Sequence, residues 1–224
     1  MAWLDDHGRS LVAEAVREAE SATSGEIVTV LAERSDGYTD VALAWATAAA
    51  FVAMSVFAAI PLPFLELWDR LIGGWGHEWT NGELASMVIA LGLVAFLAAL
   101  LVQQWQPLKF LLIPGPTKSA RVHAQAVRQF KVGAERRTTG RTGVMIYLSM
   151  REHRAEIVAD ESIAAKVPAE VWGEAMGDML SQIRKGALAE GLAVGIRDVG
   201  FVLAEHFPRG AEDANELPDR LIEV

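Results

Sequence analysis

The stretch GEIVTVLAERSDGYTD, residues 25–40, reads as a β-strand and a turn, and it runs straight into VALAWATAAAFVAMSVFAAI, residues 41–60. One strand cannot satisfy its own ladder of N–H and C=O groups, and one- or two-strand units are marginal in water. The rest of its sheet must lie elsewhere in the 224-residue chain. It is found only after a second long apolar segment. TGVMIYLSM, residues 142–150, is a nearly continuous apolar run of the kind a strand buried on both faces requires, and HRAEIVA, residues 153–159, is a second run beyond the polar Arg151 and Glu152. The expectation is that Glu26–Ala32 pairs with Val144–Ser149 and Ala155–Ala159, in one α/β domain whose chain leaves partway and returns.

What it leaves for is legible in the charge pattern. No Asp, Glu, Lys or Arg occurs from Val41 to Leu65, nor from Leu84 to Leu108. Each run exceeds the roughly 20 apolar residues that cross a hydrocarbon core about 30 Å thick. Buried helices of a water-soluble domain carry a polar stripe, which these lack. Two membrane spans, about 41–63 and 84–106, are therefore expected inside a hairpin covering 39–108. The linking stretch holds Trp68, Trp75 and Trp79, residues suited to the headgroup level. The domain itself is expected to be discontinuous, 1–38 plus 115–224.

Basic residues near the spans fix the expected orientation. Arg34, Lys109, Lys118, Arg121 and Arg128 flank the outer ends, against Arg70 alone in the hairpin loop. By the positive-inside rule both termini are cytoplasmic, and the protein is a multi-pass protein of the cell membrane. The first 40 residues lack the short basic region and apolar core of a secretory signal. A net charge of −9 argues against a nucleic-acid partner. The expected partners are the lipid bilayer and a membrane or membrane-associated protein.

Helical periodicity covers Asp6–Ser21, with Leu11, Val12, Ala15, Val16 and Ala19 on one face. It returns from Lys118 to Arg137, with Val122, Ala126, Val127 and Phe130 inward, and again over Pro168–Lys185 and Ala187–His206. The basic side of the Lys118 helix, with Lys118, Arg121, Arg128 and Lys131, suits contact with anionic headgroups, each cation contributing about 1 kcal/mol near the surface. The acidic tail from Arg209 to Val224 reads as extended or frayed.

Across VREAESATSGEIVTVLAE, residues 16–33, then ERRTTGRTGVMIYLSMREHRAEIVADESIAAKVPAEVWGEAM, residues 135–176, and GLAVGIRDVGFVLAEHFP, residues 191–208, the sequence resembles the TPM domain family. The likeness is to its membrane-spanning bacterial branch, with a hairpin inserted after the first strand. The resemblance implies a three-layer α/β/α sandwich. It also implies divalent-metal binding and phosphatase activity in some members, and accessory roles in membrane complexes in others; the family includes a plant thylakoid-lumen acid phosphatase. Where many members carry two aspartates between the central strands and then a Gly-Tyr-Gly turn, this chain has Arg151 and Glu152, and then Asp160, Glu161 and Ser162.

Two functions stay open on the sequence. One is a membrane-anchored interaction or accessory module. The other is a metal-dependent phosphatase in which Glu152, Asp160 and Glu161 gather at one end of the sheet around a divalent cation, calcium or magnesium, both of which accept oxygen ligands. Whether the chain is an enzyme is left undecided, and no catalytic residue is assigned. The absence of cysteine excludes a thiol nucleophile, and no GxSxG elbow or HExxH helix occurs. His153 beside Glu152 is a candidate, though a surface histidine is the simpler reading. GPTKS, residues 115–119, lacks the glycine that a phosphate loop needs before its lysine and reads as a Pro-started helix. Neither apolar run holds an ionisable residue of the sort that lines a transport path.

Overall fold

A computed structural model describes residues 3–72, 78–133, 142–210 and 220–224. Trp75, the end of the basic helix towards Arg137 and the tail residues 211–219 lie outside these ranges. The chain divides into two compact units, residues 1–36 with 115–224, and residues 37–114.

The first unit is mixed α/β. In chain order it contains α1 (Asp6–Glu20) and β1 (Glu26–Ala32), and its later elements begin with α6 (Gly115–Gly133). Then come β2 (Gly143–Ser149), β3 (Arg154–Ala159), α7 (Glu161–Ala164), α8 (Ala169–Ile183), α9 (Leu188–His206) and β4 (Ile222–Glu223). The four strands form one mixed sheet in the order β3-β2-β1-β4. β1 and β2 run parallel, in register from Glu26 opposite Gly143 to Ala32 opposite Ser149. β3 is antiparallel to β2 alone. The expectation that β1 meets both other strands is thus corrected: β2 takes the middle, and the other edge of β1 pairs with β4. Of the two readings of the tail, extended or frayed, its last residues take the extended one: Glu33 N–H donates to Val224 O at 2.9 Å and Val224 N–H to Leu31 O at 3.0 Å.

Every residue of β1 and β2 is buried, because helices cover both faces of the sheet. Ile27, Leu31, Val144, Ile146 and Leu148 join a cluster with Val12, Val16, Ile196 and Leu203 of α1 and α9. The alternate residues Val28, Val30, Ala32, Met145 and Tyr147 pack on Val122, Ala126 and Phe130 of α6. A strand with apolar neighbours on both sides loses the alternation of a half-exposed one, which is why these two read as unbroken apolar runs. The helices approach closely at small residues. A Cβ on Gly200 would lie 2.5 Å from the Ala19 Cβ, and one on Gly195 2.9 Å from the Met179 Cβ.

The second unit contains α2 (Thr39–Ala59), α3 (Leu62–Ile72), α4 (Asn81–Val102) and α5 (Gln106–Leu112). α2 and α4 have mean hydropathies of 2.0 and 2.7, and only 11% and 6% of their most apolar windows are buried. Both are long and apolar enough to cross a membrane. They pack together at Gly92 of α4, where a Cβ would come within 2.7 Å of the Met54 Sδ, and Ala42, Ala46 and Phe57 are the buried residues of α2. Gln103 Nε2 donates to the Ala42 carbonyl at 3.2 Å, spanning the pair.

The helix limits differ from the charge-based spans for local reasons. Ile60 precedes Pro61, a position that disfavours α conformation, so α2 ends before residue 63. Thr80 and Glu83 form a reciprocal capping box that starts α4 before the apolar run does. Part of the stretch expected to be a loop is the helix α3.

Candidate functional site

In open sheets with parallel strands, binding sites favour the carboxyl ends of those strands. At that end of β1 and β2 the structure gathers Ser35, Tyr147, Ser149 and Glu152, all buried. β1 delivers Ser35 three residues beyond its last residue, β2 contributes Tyr147 and Ser149, and the β2–β3 turn brings Glu152 back over them. His153 closes that turn with φ of 52°, the left-handed region where His is tolerated better than most non-glycine residues. Its side chain is exposed.

The hydrogen bonds in this cluster have a direction. Ser149 Oγ donates to Glu152 Oε2 at 2.5 Å, and Ser35 Oγ donates to Ser149 Oγ at 3.0 Å. A hydroxyl has one proton to give, so Ser35 Oγ must accept from the Tyr147 hydroxyl, 3.1 Å away. The protons therefore point from Tyr147 through two serines to the carboxylate. Ser35 N–H donates to the other carboxylate oxygen, Oε1, at 2.9 Å. Burial pushes the Tyr147 phenol above its ordinary value and the Glu152 charge adds to this, with Arg128 opposing. The phenol thus keeps its proton near neutral pH and serves as the donor that starts the chain.

The three acids of the candidate metal group do not come together in this arrangement. Glu152 lies before β3 and Asp160 after it, and six residues of strand at about 3.3 Å each hold them roughly 20 Å apart. Asp160 is itself committed: its Oδ2 accepts from Gly143 N–H at 3.0 Å, tying the start of β2 to the end of β3. Its neighbour Glu161 begins the short helix α7. Among the described residues no three acidic or histidine side chains converge so as to hold a metal ion. The donor set does not fit the divalent cation that the resemblance implies. Arg151, the unexpected cation of this turn, reaches Glu33 Oε1 at 3.1 Å.

The basic residues of α6 do share a surface. Val122, Ala126 and Phe130, spaced by four, face the sheet. At 3.6 residues per turn Arg121, Arg128 and Lys131 fall on the far side and Lys118 at its margin. Arg128 and Lys131 are exposed, while Lys118 and Arg121 are partly buried. Arg121 Nε lies 3.3 Å from Asp36 Oδ2, and beside this face Arg154 Nε donates to Ser119 Oγ at 3.3 Å.

Sequence reasoning passed over Ser35, Tyr147 and Ser149. A signal was present: Tyr and Ser two residues apart inside an otherwise apolar buried strand demand hydrogen-bond partners. Naming the partners required the fold, since Ser35 is 112 positions from Tyr147 and 114 from Ser149.

No protein-family model and no curated protein matches the sequence. Among solved structures, the chain is similar to the BA42 protein of the psychrophilic bacterium Bizionia argentinensis, determined by NMR. The TM-score is 0.57 at 18% identity, over 100% of this chain and 97% of that one. At so low an identity the likeness establishes a shared fold and carries no activity with it.

Proposed function

We propose that this protein is a membrane-anchored, TPM-like module that holds a partner protein at the cytoplasmic face of the cell membrane. In this reading α2 and α4 form a transmembrane hairpin inserted into a three-layer α/β/α sandwich, and both termini are cytoplasmic. The observation that carries it is the pair of helices themselves: 21 and 22 residues with mean hydropathies of 2.0 and 2.7, and almost no protein covering them. At 1.5 Å per residue they extend about 32 Å, the thickness of a hydrocarbon core. Left in water, the apolar surface exposed along both would drive aggregation.

The accessory role is supported by the commitment of the acids. Glu152 terminates an internal hydrogen-bond chain and Asp160 pins a strand end, which leaves the phosphatase alternative without an assembled donor set. The cations of α6, the exposed Arg128 and Lys131 with the partly buried Lys118 and Arg121, are the proposed contact with anionic headgroups. Alkaline carbonate washing of membranes from expressing cells tests the anchor. The chain is expected to stay in the pellet, and release into the supernatant contradicts the reading. A photoreactive residue at position 128 tests the contact surface, with adducts to a membrane protein or to lipid expected there and none at the exposed Glu174 of α8.

A further inference from the structure

The second unit contains a groove whose chemistry changes along its length. α3 is amphipathic: Phe64, Leu67, Trp68 and Leu71 lie on one side and Glu66, Asp69 and Arg70 on the other. Its apolar side meets Phe57 of α2 and Leu91 and Val94 of α4 around a cavity of about 250 Å³ without a charged residue in its wall. A second cavity of about 620 Å³ shares Trp68, Met87 and Ala90 with the first and opens between Trp79, Thr80, Glu83 and Ser86. Together they make one channel with an apolar floor and a polar mouth. From Glu83 to Val94 the rise along α4 is about 16 Å, half of a hydrocarbon core. The mouth coincides with the capped helix start, and Trp68 and Trp79 flank it as they would at a headgroup boundary.

We propose that this groove binds a single membrane lipid, with an acyl chain along Phe64, Leu91 and Val94 and an amine-bearing headgroup beside Glu83. The inference rests on the reading of α2 and α4 as membrane spans. A lipid fits better than a soluble ligand because the groove continues onto α2 and α4 surfaces that the described residues leave almost entirely exposed. The amine follows from charge. The described part of the hairpin end carries Glu66, Asp69, Glu78 and Glu83 against Arg70, a field that attracts an ammonium and repels a purely anionic head.

The test is photolabelling of the full chain in phosphatidylcholine vesicles containing a little phosphatidylethanolamine with a diazirine in its acyl chain. Adducts should be enriched several-fold on the peptides bearing Phe64–Leu71 and Met87–Val94 relative to the exposed Phe51–Val56 and Leu97–Leu101. Ala90→Trp, which fills the shared wall, should abolish the enrichment. Glu83→Gln keeps the capping box, since Gln serves at that position. It should erase a preference for the ethanolamine probe over the matching phosphatidylglycerol probe. Even labelling along both helices overturns the groove while leaving the anchor intact. Absence of adducts on α2 and α4 overturns both. Crosslinks joining two copies through α3 overturn the lipid as occupant, and equal labelling by the two probes in the unaltered protein overturns the headgroup assignment.

Discussion

Replacing Glu152 by Ala removes the acceptor at the end of the buried chain and leaves two donors facing it, Ser35 N–H and the Ser149 hydroxyl. Ser149 is fully buried and Ser35 nearly so, so water does not readily replace the carboxylate. Each unsatisfied buried donor costs about 1–3 kcal/mol, a gross loss of about 2–6 kcal/mol. Release of a carboxylate from its buried position works the other way, and a net loss of about 3 kcal/mol is expected. For a protein of this size that lowers Tm by about 6–12 °C. Glu152→Gln keeps an acceptor for Ser35 N–H but turns an NH₂ donor on Ser149, so the hydroxyls must reverse; its loss should be about half as large. Tyr147→Phe deletes only the first donor and strands no other donor, so it should cost least, about 1 kcal/mol. Melting of the full chain in detergent, followed by far-ultraviolet circular dichroism, gives the order. If Tyr147→Phe cost more than Glu152→Ala, or Glu152→Ala left Tm unchanged, the directed chain would be wrong.

Calcium, magnesium or manganese is expected to leave Tm unchanged, because the acids are divided by β3; bound metal at a hundred times its Kd would add about 2.7 kcal/mol, an easily seen shift. Asp198 has its pKa raised, chiefly by burial and then by Asp178, with Arg197 opposing. A carboxyl held above its unfolded value destabilises the fold once ionised, so this loss is absent below the unfolded pKa and grows as pH rises through the folded one. Asp198→Asn should therefore stabilise at neutral pH, by less than about 1 kcal/mol given its solvent access, and the gain should vanish in acid; an equal gain at both pH values contradicts this. Gly200→Val should force α1 from α9 and cost at least about 1–3 kcal/mol, whereas Gly177→Ala, with nothing near its added Cβ, should stabilise by about 0.4–1 kcal/mol. Comparable melting shifts for the two would refute the packing argument.

The two central strands were legible because burial on both faces erased their alternation, and β1 has the very limits that its apolar run predicts. The amphipathic helices were equally visible, α9 within one residue at its start. What escaped is instructive. β4 pairs over only Ile222 and Glu223, too short for periodicity to register, and its place beside β1 is set by contacts across almost the whole chain. α3 was missed because Trp68 was read as a headgroup anchor in a loop, while its spacing with Phe64, Leu67 and Leu71 is that of an amphipathic helix. At the candidate site the acids were identified from the resemblance and from residue type. Glu152 and Asp160 are close in sequence, but an extended strand between them converts eight positions into a long separation. Two of their partners, Ser35 N–H and Gly143 N–H, are backbone groups that no side-chain motif announces.

The membrane anchor with its α/β unit inside is tested most directly by single-cysteine accessibility, since the chain has no cysteine of its own. Glu78 stands at the described edge of the hairpin end and Gly210 in the α/β unit, both exposed. With a membrane-impermeant maleimide on intact cells, Glu78→Cys should be labelled at once and Gly210→Cys only after the membrane is permeabilised. Labelling of Gly210→Cys but not Glu78→Cys on intact cells would invert the orientation, and recovery of both variants in the soluble fraction would contradict the anchor itself.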